Sequence, residues 1–139
     1  MTKTIFGKIV AGEIPCARVY EDERVLAFLD INPLSLGHTL VVPKEPAATL
    51  DELSDESAAA VGRVLPRLAR AILKVTGAPA FNVLQNNGPS AHQAVFHVHF
   101  HIIPKFPDGS GLTLGWHAHS LEPASAHELA AKITRALDD

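Results

Sequence analysis

The segment His97-Val98-His99-Phe100-His101 has a histidine at every second position, with one apolar residue between each pair. Because side chains alternate between the two faces of a β-strand, this spacing predicts a strand with three imidazoles on one face. The other face carries the apolar side chains and is expected to pack against a core. Three titratable rings in a row predict a functional site, since histidine serves readily as acid, base or ligand.

The residues alone leave three interpretations of these histidines open. In the first, the rings are exposed or bonded for purely structural reasons, as single histidines often are. In the second, a His-x-His pair binds a metal ion, although the outer two rings are about 13 Å apart along a strand at ~3.3 Å per residue. In the third, a neutral imidazole nitrogen attacks phosphorus while the neighbouring rings stabilise charge or donate a proton.

Hydrophobic periodicity on both sides of the histidines predicts an α+β domain. The predicted elements in chain order are helix 3–11, strands 17–20, 24–30 and 38–42, helix 54–76, strands 80–86 and 95–103, and helix 125–137. Pro66 lies inside the long helix and predicts a kink or two abutting helices there. Short connections between strands predominate, which favours a largely antiparallel sheet of about five strands.

Composition restricts the class of protein. The 139 residues fit one domain, and 47% of them are apolar, so a core can form without disulfide bonds. Cys16 is the only cysteine, which excludes an internal disulfide and favours a reducing compartment, the cytoplasm by default. A net charge of -3 predicts no broad attraction for nucleic acid or membrane. The first residues contain no long apolar run, so neither a signal peptide nor a membrane span is expected.

The pattern His-φ-His-φ-His-φ-φ over residues 97–103 resembles the signature of the histidine triad (HIT) family. The resemblance extends over most of the chain and is strongest to the Hint-type nucleotide-binding branch. The similar blocks are Thr4–Ile9, Glu13–Pro15, Ala27–Ile31 with Pro33, His38–Lys44, Asn86-x-Gly88, and Gln93 with Val95–His97. The resemblance implies one HIT domain over residues 1–139, paired as a homodimer, with a tail of about 105–139 that completes the site and the dimer.

The resemblance also implies a reaction and catalytic residues. A Hint-type enzyme would hydrolyse purine nucleoside phosphoramidates or aminoacyl nucleotides and release a nucleoside monophosphate through a nucleotidyl-histidine intermediate. His99 would be the nucleophile, and His101 would contact the phosphate and help the leaving group depart. His97 would orient His99, partly through its backbone carbonyl, and His38 would belong to the proton network.

The substrate-binding residues implied by the resemblance come from separate parts of the chain. Asp30 would hold the ribose hydroxyls, because a carboxylate can accept both. Asn86 would contact the phosphate or leaving group, with Gln93 and Ala94 in the same loop region. Ala94 stands where the branch often has a phosphate-binding serine, a loss of about 0.5–1.5 kcal/mol net. The base pocket would be walled by Ile5, Phe6, Ile9, Ile14, Phe28 and Ile31.

No cofactor or metal is implied. Many bacterial relatives build a zinc site from Cys-x-x-Cys and a later histidine, but Thr4, Gly7 and Pro46 stand at the matching positions here. Two other functions remain open besides phosphoramidate hydrolysis. One is cleavage of dinucleoside polyphosphates, the activity of the other main branch. The second is a nucleotide-binding regulatory or scaffold protein.

Overall fold

A computed structural model describes residues 3–137 of the chain. Its elements are helix α1 (Ile5–Val10), strands β1 (Arg18–Glu21), β2 (Val25–Leu29) and β3 (Thr39–Pro43), helix α2 (Asp55–Thr76), strands β4 (Ala80–Gln85) and β5 (Phe100–Lys105), and helix α3 (Pro123–Ala136). Short 3-10 turns occupy Leu50–Glu52 and Pro89–Ala91. The predicted order of helices and strands is confirmed.

The five strands form one antiparallel sheet, as predicted, and their order within it is β1-β2-β3-β5-β4. The sheet is covered on both faces, which explains why β2 and β3 are almost continuously apolar. One face packs against α2, where Val25, Val41 and Ile102 meet the helix residues Val61 and Val64. The second core therefore lies on the opposite face, under α1.

The face under α1 holds the histidines. Phe6 of α1 packs there against Leu26, Phe28, Leu40 and Val42. In the pairing of β3 with β5, Leu40 lies opposite His101, so both side chains are on this face. The sheet thus places His101 beside an apolar cluster and away from α2.

Local sequence signals account for the ends of α2. The Ser54 side chain accepts a hydrogen bond from the Ser57 amide at the N-terminus, and Gly77 ends the helix in the left-handed conformation with φ of 73°. The helix is continuous through Pro66, so the alternative of two abutting helices is wrong. Pro66 lies on the exposed side of the helix.

The prediction for the last strand is wrong in its bounds. A strand over 95–103 was expected, but β5 begins at Phe100 and continues through Pro104 to Lys105. The chain before Phe100 is bonded to the segment after β3, since the Val98 amide donates to the Ala47 carbonyl. Pairing between β3 and β5 ends at Ile102, so at Pro104 the strand has only β4 beside it, a position that tolerates proline.

The C-terminal region makes few contacts in the single chain. Residues 113–137 are exposed apart from the half-buried Ala126. Large apolar side chains are among them, including Trp116, Leu129 and Ile133. Within residues 3–137, no helix is both long enough and apolar enough to span a bilayer.

Candidate active site

A cavity of about 400 Å³ lies between α1 and the histidine face of the sheet. This size is ordinary for a small-molecule site, about 300–1,000 Å³. Its wall is largely apolar, and its polar groups gather at one end, where Asp30, His99 and His101 lie. The remaining lining residues are Ile5, Phe6, Ile9, Ile14, Pro15, Cys16, Phe28, Leu29, Ile31, Asn32, Leu40, Ala94 and Val95.

His99 presents one free ring nitrogen to this cavity. Its side chain is only 6% exposed, and Phe6 packs edge-on against the ring with 4.9 Å between centroids. The Nδ1 atom is 2.8 Å from the His97 carbonyl oxygen. Because a carbonyl can only accept, Nδ1 must carry the proton. Nε2 then holds a lone pair and has no hydrogen-bond partner among residues 3–137.

His97 has a different role from the other two histidines of the segment. Its ring is buried, and Nε2 donates to the Pro43 carbonyl at the end of β3, 2.7 Å away. His97 does not line the cavity. Of the three rings predicted to share one face, only those of His99 and His101 line the cavity, and the regular strand begins only at Phe100. The ring anchors the segment, and its carbonyl oxygen bonds His99.

His38 and His101 form a second bonded pair at the polar end of the cavity. The Leu34 amide donates to His38 Nδ1 over 3.0 Å, so that nitrogen carries no proton. His38 Nε2 therefore bears the hydrogen and donates to His101 Nδ1 over 2.9 Å. The proton of a neutral His101 is then on Nε2. The rings of His99 and His101 lie side by side, with 5.0 Å between centroids.

Asp30 completes this end of the cavity. One carboxylate oxygen lies 3.5 Å from His38 Nε2, and the other accepts the Asn32 amide. Together with His101, these side chains have the donor types of a metal site, with one ligand atom from each within 4.8 Å of the others. The Leu34 amide opposes that use, because it leaves His38 Nε2 with a hydrogen instead of a lone pair. The residues present therefore fit a proton network better than a metal ion.

Burial keeps the cavity histidines neutral near pH 7. Burial is the largest cause of the lowered pKa of His38 and of His99. The pKa of His101 falls to about 4, first through burial and then through repulsion from charge on His99 and His38. The negative charge of Asp30 partly opposes the shift in all three. A neutral His99 is the form that can act as a nucleophile.

The structure brings most of the predicted residues to one place. The six apolar residues predicted to wall the pocket all line the cavity, as do Asp30 and Ala94. Asn86 and Gln93 are outside its lining. Gln93 is buried and braces the loop, accepting from the Gly88 amide and donating to the Ala48 and Val95 carbonyls.

Several residues and backbone groups of the site were not predicted from the sequence. Cys16 and Asn32 line the cavity, and the backbone groups of Leu34 and Pro43 orient two of the histidines. Cys16 could have been predicted, because it lies only two residues after the predicted pocket residue Ile14. Backbone donors and acceptors leave no signal, since every residue except proline has both.

A larger depression of about 650 Å³ lies along β1 and the turn that follows it, but it lacks the features of a catalytic site. It is open to solvent and contains the ion pairs of Glu21 with Arg18 and Lys44. No histidine lines it. The cavity beside His99 is therefore the candidate active site.

Comparison with known proteins agrees with this geometry. The family model of the HIT domain matches residues 11–108. Adenosine 5'-monophosphoramidase hnt1 of Schizosaccharomyces pombe is 51% identical over 130 residues, covering 94% of this chain and 95% of that protein. Adenosine 5'-monophosphoramidase HNT1 of Saccharomyces cerevisiae is 45% identical, covering 85% and 72%. A crystal structure of a HIT family member from Bacillus subtilis has a TM-score of 0.92 at 43% identity, covering 96% of both chains.

The chain belongs to the histidine triad family. Its similarity to two proteins named as monophosphoramidases supports the Hint-type branch. The fold inferred from the resemblance is confirmed, with its five-stranded antiparallel sheet and one long helix.

Proposed function

We propose that this protein hydrolyses purine nucleoside phosphoramidates or aminoacyl nucleotides and releases a nucleoside monophosphate. The observation that carries the proposal is the free Nε2 of His99, held toward the cavity by the hydrogen bond from Nδ1 to the His97 carbonyl. The relatives named as adenosine 5'-monophosphoramidases support the same reaction class.

In the first step, His99 Nε2 attacks phosphorus and forms a P–N bond, while the bond from phosphorus to the leaving amine breaks. The amine departs with a proton from His101 Nε2. The N–H that His38 donates to His101 Nδ1 stabilises the negative charge left on the His101 ring. In the second step, water attacks phosphorus, the bond to His99 breaks, and the water returns a proton to His101.

Burial of both histidines serves this reaction. Water-poor surroundings strengthen the hydrogen bonds to the developing charge, and they keep His99 unprotonated. The 5.0 Å separation of the two rings allows one phosphoryl group to meet the nucleophile and the proton donor together.

The shape of the cavity supports a nucleotide as substrate. Its apolar part, between α1 and β2, offers Phe6, Ile9 and Phe28 to a flat base. Asp30 lies beside His38 and His101 at the polar end, where a carboxylate can accept both ribose hydroxyls. The apolar wall supports an aromatic base, and we propose a purine.

The test is hydrolysis of adenosine phosphoramidate by the wild-type protein and by His99→Ala. We expect the variant to lose at least about a thousandfold in kcat, as removal of a nucleophile does, while still binding adenosine monophosphate. Lys74→Gln is the control, because this side chain is exposed on α2 and does not line the cavity. Full activity in His99→Ala would disprove the nucleophilic role.

Rates on adenosine phosphoramidate and diadenosine polyphosphate, measured side by side, separate the proposed reaction from the alternatives. Faster cleavage of the polyphosphate would assign the chain to that activity. Tight nucleotide binding with negligible turnover of both would favour a regulatory or scaffold role.

A homodimer with a tail that completes the partner's site is part of the proposal. In support, β4 is an end strand of the sheet, and its Phe81 and Val83 are 40% and 49% exposed. Trp116 in the tail is 82% exposed. Sedimentation equilibrium should give twice the chain mass, and Val83→Lys should shift the protein toward monomer.

We further propose the cytoplasm as its location, without nucleic-acid or membrane partners, consistent with the net charge of -3.

A further inference from the structure

The loop between β2 and β3 is tied to the strand that carries His101. The Ser35 hydroxyl, in a side chain only 7% exposed, donates to the Pro104 carbonyl over 2.6 Å. At Pro104, β5 has β4 on one side and no β3 partner on the other. The serine therefore bonds a carbonyl on the strand of His101, 69 residues away in the chain.

The same loop is held at two further backbone positions. The Gly111 amide donates to the Leu34 carbonyl, and the His38 amide donates to the Ser35 carbonyl. Gly37 adopts φ of 90° beside Thr76, and a Cβ at Gly37 would lie 2.8 Å from that threonine's methyl carbon. These contacts hold the peptides that follow Leu34 and so restrict rotation of the adjoining peptide, whose N–H points at His38.

The held peptide has a chemical consequence for His38. The Leu34 N–H points at Nδ1, and a proton on that nitrogen would place two donors face to face. The His38 proton therefore stays on Nε2, from which it is donated to His101 Nδ1. His101 in turn keeps its own proton on Nε2, the nitrogen with no partner among residues 3–137.

We propose that Ser35 is a positioning residue that sets the direction of the proton in the His38–His101 pair. By anchoring the loop to Pro104, it holds the Leu34 amide against His38 and so keeps the His101 N–H available for the leaving group. The part that concerns the leaving group rests on the proposed function. The part that concerns proton positions does not.

Long-range ¹H–¹⁵N spectra of the histidines test the proton positions directly. In the wild-type protein, His38 and His101 should both show the Nε2–H tautomer. Ser35→Ala should give a mixture of tautomers at His38, and Ser35→Thr, which retains the hydroxyl, should restore the wild-type pattern. Ser35→Cys, close in volume but a weaker donor, should be intermediate, and it provides the comparison if the alanine variant does not fold.

Ser57→Ala is the matched control. Ser57 is also a buried serine, 2% exposed, and lies in the first turn of α2. Its hydroxyl donates to the Glu45 carboxylate. Loss of its hydroxyl should leave both histidine tautomers unchanged. A tautomer shift in this control equal to that in Ser35→Ala would overturn the assignment to Ser35.

Kinetics test the consequence for the leaving group. Ser35→Ala should lower kcat about tenfold for an alkylamine phosphoramidate, which needs a proton on the departing nitrogen. It should change kcat less than twofold for the p-nitrophenyl ester of adenosine monophosphate, whose leaving group needs no proton. KM should be unchanged for both. An equal loss on both substrates would indicate a merely structural role.

The outcomes separate this proposal from the proposed function. An unchanged His38 tautomer in Ser35→Ala, with an active wild-type protein, would refute the role of Ser35 and leave the reaction standing. If Ser35→Ala shifts the His38 tautomer but the wild-type protein hydrolyses neither substrate, the role of Ser35 in proton placement is supported and the proposed reaction is refuted.

Discussion

Acid should destabilise this protein through His101, and replacing that residue should remove much of the effect. The pKa of a histidine is 6.5 in the unfolded chain, and burial together with the charges of His99 and His38 lowers that of His101 to about 4. The unfolded chain therefore takes up this proton at a higher pH than the folded one. The free energy of unfolding must fall as the pH is lowered from about 6.5 to about 4.

The magnitude follows from the same two values. A fall in pKa from 6.5 to about 4 corresponds to about 3 kcal/mol. That is a large share of the roughly 5–15 kcal/mol that stabilises an ordinary domain. His38 and His99, with pKa values lowered mainly by burial, add to the loss in the same direction.

The perturbation is His101→Asn, in which the asparagine oxygen can accept the His38 N–H as Nδ1 does. Urea unfolding at intervals between pH 7.5 and 4 gives the free energy of unfolding for each protein. Over this range the variant should lose about 3 kcal/mol less than the wild type. His127→Gln, at an exposed position, should follow the wild-type curve. Parallel curves for wild type and His101→Asn would refute the reasoning.

Four further substitutions and a chelation experiment probe other parts of the structure. Phe6→Ala should lower the free energy of unfolding by about 3–4 kcal/mol and raise KM, because the ring fills a core and contacts His99; urea titration and steady-state kinetics measure both. Pro66→Ala should raise the unfolding midpoint by an amount equivalent to about 1–3 kcal/mol, since an exposed helix position regains its hydrogen bond. Gly37→Ala should destabilise by about 1–3 kcal/mol, and Thr76→Ser should recover part of this loss by removing the crowded methyl group; no recovery would contradict the clash. Dialysis against a chelator should leave hydrolysis unchanged, and inactivation reversed by zinc would contradict the proton network.

Much of the site was accessible from the sequence through its resemblance to the HIT family, and physical preferences explain why those residues come together in the fold. The apolar residues that line the cavity lie in short amphipathic segments, and burial of one face brings such segments together. His38 and Asp30 flank the loop between two predicted strands. Antiparallel pairing of β2 with β3 necessarily places the ends of that loop beside each other.

The bounds of β5 were not accessible in this way. The alternation of residues over 95–103 is typical of a strand, but a strand forms only where a neighbouring strand accepts its hydrogen bonds. The Val98 amide instead donates to the Ala47 carbonyl, which lies outside β3, so β5 begins only at Phe100. His97 lies in this stretch before β5 and is not part of the cavity lining. Asn86 and Gln93 lie outside the cavity lining for a related reason, because the path of their loop depends on its bonds to the segment after β3.

The sequence by itself determined the α+β class, the order of the strands along the chain and the candidate histidines, since patterning and side-chain chemistry are local properties, and its resemblance to the HIT family predicted the apolar wall. Only the tertiary structure decided where the protons lie. The Pro43 and His97 carbonyls and the Leu34 amide choose which nitrogen of each ring carries hydrogen. These are backbone groups brought together by the sheet and its loops, and no residue type marks them in advance.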